Sequence, residues 1–247
     1  MAIDLEALRR KHEQLNGGGN TSENSDFLNK FYKIPEGSNS VRLLPWRDED
    51  REFYAETKIH RVEMPDGQYK NFHCRKVHGE ACPLCDLYYG LWKTGRKEDE
   101  DLARKIKPRA RYYMNILDRD TGDVKILSVG VIIFKKIIAA MLDEDFGDIT
   151  DLQSGHDFKI VKEMEAGSPW PKYDQSAPRP KSSPLGSKAE IASYMDSLHD
   201  VHELVKLEDY EEVKMAAQSL AGVPVVEGNV KQSEEVSDND YLSKLQS

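Results

Sequence analysis

Cysteine is scarce in this chain, and its three copies, Cys74, Cys82 and Cys85, fall within one run of twelve residues. The last two form a Cys-x-x-Cys motif, which on a tight turn offers two thiolates to one tetrahedral ion. Cys74 can supply a third thiolate. A nearby histidine must complete the ligand set, because there is no fourth cysteine. The spacing therefore predicts one zinc ion bound by three cysteines and one histidine.

Other uses of the cysteines fit the sequence less well. A disulfide or a reactive dithiol is disfavoured because the N-terminus has no apolar signal region, so we expect a reducing cytoplasm. The run His78-Gly79-Glu80 ahead of the cysteine pair is similar to the zinc deaminase pattern. However, Pro83 lies inside the pair instead of before it, and Ala81 alone separates the two halves. The motif favours a structural zinc.

The identity of the histidine ligand depends on how the chain returns to the cysteines. His73 adjoins Cys74, and adjacent side chains on an extended segment point to opposite faces. His60 ends a strand-like stretch, a Pro-Asp-Gly turn follows at 65–67, and the next strand-like stretch ends at Cys74. Such a hairpin favours His60 over His78, which stays the alternative.

Length and composition allow one substantial core with solvated appendages. The chain has 247 residues, of which 38% are apolar and 32% charged. Its longest apolar stretch, 126–134, falls short of the roughly 20 residues that a membrane-spanning helix needs. No membrane association is predicted.

The net charge of -9 disfavours a polyanionic partner at first, but the charge is unevenly distributed. Residues 206–247 hold nine acids against four lysines, which gives -5. A basic patch of five cations without an acid lies at Arg104, Lys105, Lys107, Arg109 and Arg111.

Most of the regular elements are expected to be strands. Short stretches rich in aromatic and branched residues lie at 41–46, 53–62, 69–74, 109–117 and 124–129, with a further candidate at 157–164. Helices are expected at 132–146, after a capping box at Ser187 and Glu190, and at 207–220. The proline-rich segment 167–187 is expected to be an extended loop. These elements suggest a small barrel with a zinc subdomain.

The strand that begins at Arg109 combines cations with aromatic rings. Alternation places Ala110, Tyr112, Met114 and Ile116 on a core face, and Arg109, Arg111, Tyr113 and Asn115 on the other. Cations for phosphates and rings for unstacked bases are what a single-stranded nucleic acid requires, with Lys107 as a further cation. A solvated edge strand is the alternative.

Trp170 and Tyr173, which lie beside lysine and proline in the segment 167–187, are a second candidate for base stacking. No phosphate-binding glycine loop and no Gly-x-Ser-x-Gly motif competes with this interpretation.

Together these residues resemble the gene-32-type single-stranded-DNA-binding proteins of T-even-like tailed bacteriophages. The matching pieces, in family order, are Ser-Val-Arg-Leu-Leu-Pro at 40–45, His60 with Cys74 and Cys82-Pro-Leu-Cys85, Tyr-Tyr-Met-Asn-Ile-Leu at 112–117, Lys-Lys at 135–136, and Trp-Pro-Lys-Tyr-Asp-Gln-Ser at 170–176.

The resemblance implies a mainly β, α+β fold: an OB-fold barrel core at 22–222 with an inserted zinc subdomain at about 60–90 and C-terminal helices. One structural Zn²⁺ would be bound by His60, Cys74, Cys82 and Cys85. The single strand would contact Lys107, Arg109, Arg111, Tyr112, Tyr113, Trp170 and Tyr173.

The same resemblance implies a role for each end of the chain. An arm at 1–21 would support cooperative self-association through Arg9, Arg10 and Lys11, although His12-Glu13 follows them where the family has serine or threonine. An acidic tail at 223–247 would recruit replication proteins such as a polymerase, helicase loader or primase. It is shorter and less acidic than the family's.

The sequence therefore predicts a non-enzymatic protein that coats and protects single-stranded DNA in phage replication, recombination and repair, in the bacterial host cytoplasm. The alternatives are a zinc-dependent enzyme that modifies nucleic acids and a zinc-stabilised protein-interaction adaptor.

Overall fold

The computed structural model describes residues 27–48, 50–168 and 170–221. The predicted arm, with Arg9, Arg10 and Lys11, and the predicted tail lie outside the described residues.

The strands are β1 (Gly37–Leu43), β2 (Tyr54–Glu63), β3 (Tyr69–His73), β4 (Arg109–Asp118), β5 (Val124–Val129), β6 (His156–Lys162) and β7 (Ala177–Ser182). The α-helices are α1 (Pro83–Lys93), α2 (Lys97–Ile106), α3 (Val131–Met141), α4 (Lys188–Asp196) and α5 (Tyr210–Ala221), and short 3-10 helices lie at Arg75–His78 and His202–Val205.

All seven strands belong to one antiparallel sheet, in the order β3-β2-β4-β1-β6-β7 with β5 paired to β4. Strand β4 is its centre, because it pairs with β2, β1 and β5. The OB-fold is a partly open antiparallel barrel, and a single antiparallel sheet centred on β4 agrees with that architecture. The predicted class, a mainly β domain with helices and an inserted subdomain, is confirmed.

One strand lies where a loop was predicted. Strand β7 pairs with β6 inside the proline-rich segment, opposite residues from His156 to Lys159. Proline cannot donate a ladder hydrogen bond, but an edge strand leaves one side unpaired and tolerates it. Pro178 and Pro180 therefore mark this stretch as an edge strand, not as a loop.

The predicted core face of β4 is confirmed. Tyr112, Met114 and Ile116 are buried in the main hydrophobic cluster. Helix α3 closes the cluster with Ile133 and Ile137. This packing fixes the face of β4 that points inward.

The opposite face of β4 was predicted to be open, and this prediction is wrong beyond Arg111. Tyr113 is only 8% exposed because Val201 packs on it, together with Ala55. Asn115 donates to the carbonyl of His199 at 2.9 Å and accepts from its amide at 2.9 Å. A strap of residues 197–208 thus covers the outer face of the strand.

Helix α4 begins as predicted, with a complete capping box between Ser187 and Glu190. It ends at Asp196, before the strap. None of the helices in the described ranges is long and apolar enough to cross a membrane.

The subdomain that contains the three cysteines is inserted between β2 and β4 and consists of β3, the first 3-10 helix, α1 and α2. Helix α5 returns to it from the C-terminal side, and Val213, Ala216 and Ala217 pack into the same cluster as Val62 and Phe72. The last described helix is therefore joined to this subdomain, although more than 100 residues separate them along the chain.

Candidate metal centre and nucleic-acid interface

The four predicted metal ligands come from three elements. His60 lies on β2, Cys74 directly follows β3, and Cys82 and Cys85 lie at the start of α1. The β2–β3 hairpin pairs His60 with Phe72, which returns the chain so that Cys74 reaches the histidine. Pro83 occupies the first turn of α1, where the missing amide hydrogen costs nothing.

The four ligand atoms all lie within 4.8 Å of one another, and all four residues are buried. Nε2 of His60 is 3.6 Å from Sγ of Cys82 and 3.5 Å from Sγ of Cys85. Sγ of Cys74 is 3.4 Å from Sγ of Cys85. A tetrahedral zinc with ordinary bond lengths requires edges of about 3.6 Å between sulfur and nitrogen and about 3.8 Å between sulfurs. The cluster therefore fits a metal ion of this size.

The histidine is oriented for ligation by a second contact. Nδ1 of His60 donates to the carbonyl oxygen of Ile106 at 2.7 Å, which leaves the Nε2 lone pair for a metal. Ile106 ends α2, so the helix that completes the subdomain also fixes the ring.

The pKa values of two of the thiols move in opposite directions: hydrogen bonding with Cys74 and Cys82, together with burial, raises the pKa of the Cys85 thiol. Hydrogen bonding with Cys74 and Cys85 lowers the pKa of Cys82 far below its usual range. Burial disfavours the charged form of His60, but hydrogen bonds with Cys74 and Cys82 outweigh it and raise the pKa of His60 to about 9. The cluster therefore contains one thiol, that of Cys82, that loses its proton readily, as a metal ligand must.

The other two histidines considered as ligands, His73 and His78, lie outside the cluster. His78 is exposed at the end of the 3-10 helix and is outside the cluster. Nδ1 of His73 lies 2.9 Å from Glu208, whose carboxylate also accepts from the His73 amide. Glu208 thereby ties the strap to the subdomain, a contact across 135 residues that no local pattern predicts.

The predicted cations and one predicted aromatic ring come together on the surface. Arg109 is exposed, and its guanidinium carbon lies 5.4 Å from the centre of the Trp170 ring. Trp170 is 63% exposed. Lys107 is also exposed, at the end of α2. The guanidinium therefore lies over one face of the ring, and the 63% exposure of Trp170 leaves much of the residue open to solvent.

Arg111 extends this surface toward α3. Its Nη1 lies near Gly130, where an added Cβ would be 3.8 Å away. The positive charge of Arg111 also acts on Tyr173, whose pKa is nevertheless raised, mainly by burial. Tyr173 is half-buried against the main core. The proline-rich segment thus contributes both Trp170 and Tyr173 beside the two arginines.

The two tyrosines of β4 are held by the protein itself. The Tyr112 ring stacks on Phe134 with centres 3.7 Å apart and planes 7° apart, and its hydroxyl donates to Glu56 at 3.2 Å. Tyr113 is covered by the strap, and burial raises its pKa. Both residues are only 8% exposed, so neither offers an open ring face to solvent.

These features match a known family. The family model described as gp32 DNA binding protein like matches residues 35–223. The chain belongs to this family. No curated protein matches the sequence as a relative. For this gp32-like chain, single-stranded DNA binding is therefore supported at the level of the family, and the resemblance recognised in the sequence is confirmed.

Proposed function

We propose that this gp32-like protein binds single-stranded DNA without sequence preference along the surface formed by Lys107, Arg109, Arg111, Trp170 and Tyr173. The exposed Arg109–Trp170 pair carries the proposal, because it combines a phosphate-binding cation with a stacking ring. Tyr112 and Tyr113, each 8% exposed, contribute by fixing the position of β4, which carries Arg109 and Arg111.

The metal of the cluster is zinc, and its role is structural. Three thiols and one imidazole are a ligand set that suits zinc, and these four residues would fill all the positions of a tetrahedral ion. No position is left for a substrate or a reactive water. Zinc would hold the β2–β3 hairpin, α1 and α2 beside the start of β4, where the arginines lie.

The proposed role in the cell follows from the coating of single-stranded DNA by this protein. A protein that covers single strands and performs no chemistry on them protects them during replication, recombination and repair, and a phage protein of this kind acts in the host cytoplasm. We extend the proposal to the ends of the chain: the arm with Arg9, Arg10 and Lys11 mediates self-association along DNA, and the acidic tail recruits replication proteins.

Binding is expected to weaken with salt, because phosphate neutralisation releases counterions. For single strands the slope of log K against log salt is about -0.7 for each phosphate neutralised. Arg111→Gln should therefore make the slope less steep by about 0.7 in a fluorescence titration of oligo(dT).

Arg96→Gln is the matched control. Arg96 is also exposed, but it is paired with Asp99 at 2.7 Å and precedes α2, away from the proposed surface. An unchanged slope for Arg111→Gln, or an equal change for Arg96→Gln, would show that Arg111 does not contact the DNA backbone.

A further inference from the structure

A second exposed pair of arginine and aromatic ring lies on the β2–β3 hairpin. The guanidinium carbon of Arg61, on β2, is 4.2 Å from the centre of the Tyr69 ring, on β3. Tyr69 is 56% exposed, and its hydroxyl donates to Glu63 at 3.3 Å. One face of the ring is occupied by Arg61, and the residue's exposure leaves surface for a ligand.

The register places this pair on the same sheet face as Arg109. Ile59 lies opposite Arg109 in the β2–β4 ladder, and opposite residues project to one side of the sheet. Arg61 is two residues further along β2, so it projects to that side too. Strand spacing and rise give a separation of about 8 Å between the Cα atoms of Arg61 and Arg109. The pair therefore continues the proposed DNA surface beyond Arg109, at the start of β4.

Charge distinguishes Arg61 and Arg109 from the other cations that lie over aromatic rings in the subdomain. In those pairs the cation also binds a carboxylate: Lys70 over Phe72 with Glu212, Arg75 over Tyr210 with Glu80, Lys76 over Tyr89 with Asp86, and Arg104 over Trp92 with Glu100. Within the part of the chain that the structure describes, Arg61 and Arg109 form no such ion pair. Their positive charge is available to a phosphate.

We propose that Arg61 and Tyr69 form a second nucleotide-binding site, in which Tyr69 stacks on a base and Arg61 binds the adjoining phosphate of the same single strand. The inference rests on the proposed function, since the strand that occupies Arg109 and Trp170 is the one that continues to the hairpin. It also gives zinc a direct role in DNA binding, because the ion would order a β2–β3 hairpin that contacts the DNA. Val62 and Phe72, from the hairpin's other face, pack in the cluster that includes the metal-ligating cysteines.

The test compares variants on oligo(dT) of increasing length. Tyr69→Ala should lower the affinity for long oligo(dT) about fivefold or more. It should have no effect on an oligonucleotide too short to reach from Trp170 to the hairpin. Tyr69→Phe, which keeps the ring, should bind more tightly than Tyr69→Ala. Arg61→Gln should make the salt slope less steep by about 0.7. A long oligonucleotide carrying 5-iodouracil should form a photo-adduct on Tyr69 in the wild-type protein.

Tyr89→Ala is the control, since Tyr89 is 44% exposed on the same subdomain but lies beside the salt-bridged Lys76. Zinc content is measured for each variant, so that a loss of the fold is recognised. If wild-type protein binds oligo(dT) while Tyr69→Ala binds equally well at every length, without an adduct on Tyr69, the second site is refuted and the proposed function stands. If wild-type protein does not bind oligo(dT), both the second site and the proposed function are refuted.

Discussion

Cys85→Ser is expected to abolish zinc binding and to unfold the subdomain between β2 and β4. Structural zinc in comparable peptides supplies about 10–16 kcal/mol, which is as large as the whole stability of a typical domain. The apolar cluster that includes the cysteines also contains Leu84 and Val213, so the loss would extend to the packing of α5. Elemental analysis should find one zinc per wild-type chain and none in the variant, and limited proteolysis should then cut within residues 60–106.

The control for this experiment is His78→Ala. His78 is exposed and outside the cluster, so this variant should keep one zinc and its resistance to protease. His60→Ala should behave like Cys85→Ser. A zinc-free Cys85→Ser protein with full resistance and full DNA affinity would refute the structural role, and a greater defect in His78→Ala than in His60→Ala would overturn the ligand set.

Trp170→Ala is expected to lower the affinity for single-stranded DNA by about 1–3 kcal/mol, the usual contribution of one stacked base. Because the ring carries no charge, the salt slope should stay unchanged, in contrast to the effect of Arg111→Gln. Equilibrium titration of oligo(dT) at several salt concentrations measures both quantities.

Trp170→Phe serves as the conservative variant, since a smaller ring still stacks. It should recover part of the affinity that Trp170→Ala loses. If Trp170→Ala binds as tightly as the wild-type protein, the exposed ring beside Arg109 is not a base platform, and the location of the surface is wrong.

The sequence predicted those features that depend on neighbours along the chain. The metal cluster was predictable because a Cys-x-x-Cys turn and a β-hairpin bring His60 to Cys74 through local geometry. The inner face of β4 was predictable because alternation places Tyr112 and Met114 on one side. Both patterns span few residues, and the spacing of those residues along the chain determines which side chains lie together.

Features that depend on distant segments were missed. Tyr113 reads as a surface residue in isolation, and the strap that buries it pairs with Asn115 across 84 residues. Strand β7 was missed because two prolines disfavour a strand unless it lies at a sheet edge, and sequence alone does not say which strand is at an edge. Arg61 and Tyr69 were separately visible in the sequence, but only the β2–β3 register places the guanidinium over the ring.

The most direct test of the account is a titration of wild-type protein against poly(dT) and against a duplex of matched length, at the same salt concentration. The account predicts tight, salt-sensitive binding to poly(dT) and binding to the duplex that is weaker by at least a factor of about ten, because stacked and paired bases leave no face for Trp170. Equal affinity for the two, or no binding to poly(dT), would contradict it.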